Sequence, residues 1–179
     1  MKIEELLRRI VGAVKRGIEA RSAFYTSLDI KDEQKLGAPA PGELIKGLEI
    51  KLGRSLPQSY KAFLGLHNGW HMVDAETDLL SVEELLAGPL AAKIKAWQDQ
   101  AAEWGDTVAS NGFVIGYSNI SQSRIILDPA AVSADGEWQL LEHYKDEVVA
   151  YDSFLHWLEQ SVEDYVEIGD QAQDEEDNS

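Results

Sequence analysis

His67 and His71 stand four positions apart with Asp74 close behind, and two imidazoles with a carboxylate are the makings of a divalent-metal set. Such a set needs a continuous helix to bring both rings together, and Asn68-Gly69 between the histidines signals a tight turn instead. A second constellation is Ser121 or Ser123 with Asp128 and His143, the residue types of acyl-transfer catalysis. Neither serine lies in a Gly-x-Ser-x-Gly elbow, and the Glu-His-Tyr-Lys stretch around His143 reads as a loop. Glu83 and Glu84 have the types of an acid/base pair, but helix capping already accounts for them. Gly112-Phe-Val-Ile-Gly116 holds strand residues between its glycines, not a phosphate-cradling turn. The residues therefore imply a protein that binds rather than an enzyme, with no cofactor and no metal.

Periodicity supplies the elements that must carry these residues. Ile3, Leu6, Leu7, Ile10, Val11, Val14 and Ile18 predict an amphipathic N-terminal helix over residues 3 to 18. Residues 31 to 42 are polar, end in Gly37-Ala-Pro-Ala-Pro-Gly42, and read as a connector. Pro41 then opens a helix bearing Leu44, Ile45, Leu48 and Leu52, stopped by Gly53. Leu56-Pro57 enters the next helix, with Tyr60, Phe63 and Leu64 on one face and Asn68-Gly69 as its exit. A short strand is expected over residues 74 to 80, and Ser81-Val-Glu-Glu84 has capping-box spacing. After a break at Gly88-Pro89, a further helix carries Ile94, Trp97, Ala101 and Trp104. Four short apolar runs then recur about every ten residues, at 113–115, 124–127, 138–141 and 148–151, as a meander of antiparallel strands does. Asp152 is placed to cap a C-terminal helix with Phe154, Leu158, Val162 and Tyr165 inward. This order implies an α+β fold with a central, mostly antiparallel sheet flanked by helices. One domain is expected over residues 1 to 169, followed by an acidic disordered tail from 170 to 179.

The 179-residue chain is 44% hydrophobic and 27% charged, the balance of a globular protein. No apolar run is long enough for a membrane span, and the acidic start Met-Lys-Ile-Glu-Glu does not resemble a signal peptide. The absence of cysteine fits a reducing cytoplasm. Sixteen Lys and Arg against 32 Asp and Glu leave a formal net charge of −16, and no Lys or Arg follows Lys145. That charge repels phosphate backbones, which argues against direct nucleic-acid binding, and it attracts a basic protein partner. Solubility alone is the other reading of the same charge.

Leu56-Pro57-x-x-Tyr60-Lys-x-Phe63-Leu64-x-x-x-Asn68-Gly69 resembles the signature of the SUKH superfamily, the Smi/Knr-type domains. The Leu44…Leu48-Glu49…Leu52-Gly53 helix, Leu79-Leu80-Ser81-Val-Glu-Glu84, Phe113-Val-Ile-Gly116, Ile126-Leu127-Asp128-Pro129 and Tyr151-Asp-Ser-Phe154-Leu155 follow in the family's order. The resemblance covers about residues 41 to 165. It implies an immunity protein that binds a cognate secreted toxin, often a nuclease, and blocks it by occlusion. The alternative is a regulatory or scaffolding interaction module, as in eukaryotic members. Exposed acids and aromatic anchors single out two segments for the partner: Trp70, Asp74, Glu76 and Asp78 after the signature helix, and Tyr117, Asn119 and Gln122 in the following hairpin. Trp70, beside polar residues, is expected to be partly exposed. Oligomeric state is open.

Overall fold

The computed structural model describes residues 1 to 144 and 147 to 177, with side chains described as far as 168. The chain forms two compact units, Met1–Glu33 with Leu155–Ser179, and Gln34–Phe154. Among the described residues, seven helices and a seven-stranded antiparallel sheet make an α+β fold.

In the first unit, α1 spans Ile3–Ser27, nine residues beyond its expected end at 18. Its buried stripe of Leu6, Ile10, Ala13, Val14 and Gly17 is continued by Arg21, not by another apolar residue. An arginine stem can extend an apolar face where hydropathy reads a stop. The Arg21 guanidinium is buried beside Asp32 (3.2 Å) and lies 5.0 Å from the ring centroid of Tyr25. The other helix of this unit, α7 (Phe154–Asp177), buries Leu155, Trp157, Leu158 and Val162, and its Glu159 pairs with Arg9 (2.5 Å). The reading of 170 to 179 as a disordered tail falls where side chains, and at 178 and 179 the backbone too, lie outside the described residues.

The second unit carries the sheet, whose strands lie in chain order. They are β1 (Lys35–Leu36), β2 (Trp70–His71), β3 (Thr77–Leu79), β4 (Phe113–Ser118), β5 (Arg124–Val132), β6 (Trp138–Tyr144) and β7 (Glu147–Tyr151). The polar connector therefore contributes an edge strand, and the strand expected over 74 to 80 is confined to three residues. Asp74 turns the chain first, its Oδ1 accepting from the N–H groups of Glu76 and Thr77 (both 2.7 Å). Leu127 faces Leu140 and Ile126 faces Leu141 across β5 and β6, and since adjacent residues point to opposite faces, both faces of this strand pair are buried here. Pro129 is accommodated because the β5–β6 register shifts between Asp128 and Val132.

Two helices fill the crossover from β1 to β2: α2 (Gly42–Leu52), ended by Gly53 at φ +67°, and α3 (Gln58–Leu66). Pro57 precedes α3 without a side-chain cap, and Glu137, between β5 and β6, supplies one by accepting from the Ser59 N–H (2.9 Å) and hydroxyl. Tyr60, Phe63 and Leu64 are buried, with the Tyr60 and Phe63 rings 5.2 and 5.1 Å from that of Phe154. The Tyr60 hydroxyl has no hydrogen-bond partner among the described residues, and burial pushes its pKa far above the usual tyrosine range.

Three helices separate β3 from β4: α4 (Val82–Leu86), α5 (Pro89–Glu103) and α6 (Thr107–Asn111). Ser81 and Glu84 form the expected capping box of α4. Helix α6 was not anticipated by periodicity because it is a single short turn capped by Asp106. Trp104, at the end of the same spacing, is 74% exposed, because α5 ends there and Gly105 turns the chain at φ +77°.

Candidate partner-binding surface

The exit of α3 is a hub of local hydrogen bonds. Asn68 Oδ1 accepts from the Val82 N–H (2.8 Å), and its Nδ2 donates to Glu83 (2.7 Å), so this asparagine helps cap α4. The Asn68 N–H donates to the Ala38 carbonyl (2.8 Å), and the Gly37 N–H to that of Gly69 (3.0 Å). A Cβ on Gly37 would stand 2.2 Å from the Asn68 carbonyl oxygen, and one on Gly69 (φ +87°) would stand 2.8 Å from that of Leu79. Only glycine permits both approaches. Trp70 follows at once on β2. It is 3% exposed and its indole N–H donates to Gln34 (3.2 Å), so the expected partial exposure is not found. The polar neighbours that suggested exposure are backbone and amide partners of a packed strand.

The two segments singled out from the sequence lie side by side. Thr77, Asp78 and Leu79 of β3 face Ser118, Tyr117 and Gly116 of β4, and the Thr77 and Ser123 hydroxyls are 3.3 Å apart. Asp78 accepts from the Met72 N–H (2.7 Å) and pairs with His71 Nδ1 (2.8 Å), while Asp74 is held in its turn. Glu76, Asn119 and Gln122 are exposed, whereas Tyr117 is buried. Between Asn119 and Gln122 lies Ile120, 76% exposed and missed in the sequence because an isolated apolar residue in a polar loop carries no periodic signal. The hairpin is shaped from beneath: the buried Ser118 hydroxyl accepts from the N–H groups of Ile120 and Ser121 (both 3.1 Å).

Behind this hairpin a row crosses the sheet: Tyr117, Arg124, His143 and Val148 are successive register partners on β4 to β7. His143 is thus a strand residue, not the loop residue its sequence context suggested. The Arg124 guanidinium carbon lies 4.6 Å from the ring centroid of Trp97 on α5 and 4.8 Å from that of Tyr117. The Trp97 and His143 rings meet edge to face at 5.8 Å. Burial pulls Arg124 below the ordinary arginine value, opposed only by Tyr117.

The reactive constellations resolve into structural contacts. His67 is held by burial below its ordinary pKa, against a hydrogen bond with the Gly37 backbone, while His71 pairs with Asp78. Among the described residues no group of three His, Cys, Asp or Glu side chains converges as a metal set. Ser121 and Ser123 bond to each other (3.1 Å), neither is hydrogen-bonded to His143, and Asp128 holds the Ala130 N–H (2.8 Å). Elsewhere a groove of about 840 Å³ is lined by Lys51, Arg54, Lys95, Asp128 and Trp138, among others. Its cations are occupied: Lys51 binds the Leu85 and Leu86 carbonyls, Arg54 that of Pro129, and Lys95 pairs with Asp99. No helix among the described residues is long and apolar enough to cross a membrane.

Comparison with known proteins agrees with the fold. No curated protein matches the chain. The family model described as SMI1 / KNR4 family (SUKH-1) matches residues 39–160, from just before α2 through β2 to β7 and into α7. That family includes toxin immunity proteins and is typically a non-enzymatic interaction module. With more than half of its length matched, this chain belongs to the SMI1/KNR4 (SUKH-1) family.

Proposed function

We propose that the chain is an immunity protein, acting in the cytoplasm, that binds a cognate secreted toxin and inhibits it by occlusion. The observation that carries this reading is the family match over residues 39–160, in a family that includes toxin immunity proteins. The net charge of −16 supports a basic partner, and a nuclease toxin is basic because it must hold phosphates. The contact surface is the sheet end built by the Asp74–Asp78 turn and the 117–122 hairpin. Ile120 is its apolar anchor, Glu76, Asn119 and Gln122 form a polar rim, and Asp74 and Asp78 add charge from fixed positions. Trp70 and Tyr117 are buried supports of this surface.

Calorimetric titration with the product of any toxin gene found beside this one is the test, paired with survival of cells that express that toxin. A stoichiometric complex is expected whose association slows as salt rises. Ile120→Asp should weaken binding by about tenfold or more, as loss of a central apolar anchor does. Absence of both complex and protection would refute the proposal.

A further inference from the structure

Arg124 differs from the other arginines drawn into contacts in this chain. Arg9 has Glu159, Arg21 has Asp32, and Arg54 has the Pro129 carbonyl. Arg124 is only 6% exposed, yet among the described residues no carboxylate, carbonyl or hydroxyl accepts from its guanidinium, and its Nε–H is buried without a partner. Asp78, across β4 in the same register row, is already engaged by Met72 and His71. Trp97 and Tyr117 stabilise the cation through their π faces, but a π face does not replace an acceptor in the guanidinium plane. A planar fork with stacked aromatic neighbours and unfilled in-plane donors matches the two oxygens of a carboxylate. The terminal nitrogens of Arg124, unlike Nε, are not among the atoms sealed from solvent, and Trp97 and His143 beside them are half-buried.

We infer that Arg124, framed by Trp97, Tyr117 and His143, is a recognition site for a carboxylate group supplied from outside the chain. The group is an Asp or Glu side chain of a bound polypeptide or a small carboxylic acid, and both would dock bidentately on the terminal Nη1–Nη2 edge. This holds whatever the main partner is, so its failure and that of the toxin reading are separable.

The test uses the full-length protein labelled with nitrogen-15, following the Arg124 Nε–H resonance assigned through its own backbone. Sodium acetate and the blocked peptide acetyl-Gly-Glu-Gly-amide are titrated separately, with sodium chloride at equal ionic strength as the control. A saturable displacement of that resonance by acetate, or by both probes, supports a site open to small acids. Displacement by the peptide alone supports a polypeptide carboxylate. Arg124→Lys, which keeps the charge but not the fork, should bind about tenfold or more weakly. No saturable displacement, or an equal response to chloride, overturns the inference without relying on any variant.

Discussion

Two regions of the unit Gln34–Phe154 treat their polar groups in opposite ways. At the α3 exit, the side chain of Asn68 and the backbones of Gly37, Asn68 and Gly69 are matched to specific partners, and two glycines exist to let them approach. Across the sheet, Arg124 is buried more deeply than Gly37 or Asn68, yet its Nε–H has no partner among the described residues and is softened only by aromatic rings. Full matching makes the first region a device for folding. The second retains the cost of a buried donor.

The largest expected effect tests the first region's packing. Phe63→Ala removes a fully buried ring that meets Phe154, and should cost about 3–5 kcal/mol in urea unfolding. Asn68→Ala should cost about 1–3 kcal/mol, since it strips the Val82 N–H of its acceptor and Glu83 of its donor. A smaller loss would mean that water replaces the asparagine and the hub is less exclusive than its geometry implies.

Arg124→Met sharpens the contrast through its sign. It removes a buried cation that has no counter-ion among the described residues and keeps an apolar stem against Trp97 and Tyr117. Stability should be unchanged or raised by up to about 2 kcal/mol. A marked loss would class Arg124 with Asn68 as a folding residue.

The smallest effect concerns Glu49, which accepts from the Leu56 N–H (3.0 Å) and Lys61 Nζ (2.9 Å) ahead of α3. Burial works to raise its pKa, but Lys61 and the Leu56 N–H outweigh that and hold it below the ordinary 4.5. With the folded value below the unfolded one, its contribution is present above pH 4.5 and is lost as pH falls through the folded value. Glu49→Gln should therefore flatten the acid limb of a stability-against-pH curve and cost about 0.5–1 kcal/mol at neutral pH. An unaltered acid limb would show that the pairing is dispensable.

Legibility followed the range of the signal. The caps at Pro41, Ser81 and Gly88-Pro89 and the strand meander were readable because each is written within a few neighbouring residues. Helix α1 was read short because Arg21 continues its buried stripe, and β1 was invisible because two polar-flanked residues have no period. Of the candidate surface, the sequence named both segments but expected Trp70 to be exposed, whereas Trp70 is buried and Ile120 is the exposed apolar residue. Exposure of one aromatic residue depends on what the rest of the chain lays over it, and no local pattern records that.

The amino-acid sequence by itself determined the α+β order, the acidic surplus and the family signature, since propensity, capping, charge and an ordered motif are all local or additive properties. Tertiary structure alone decided that β3 would lie beside the 117–122 hairpin, that Gly37 would meet Asn68, and that Arg124 would be buried against Trp97 and Tyr117. Those outcomes rest on register between strands distant in the chain, where a shift of one residue would send each of these side chains to the other face.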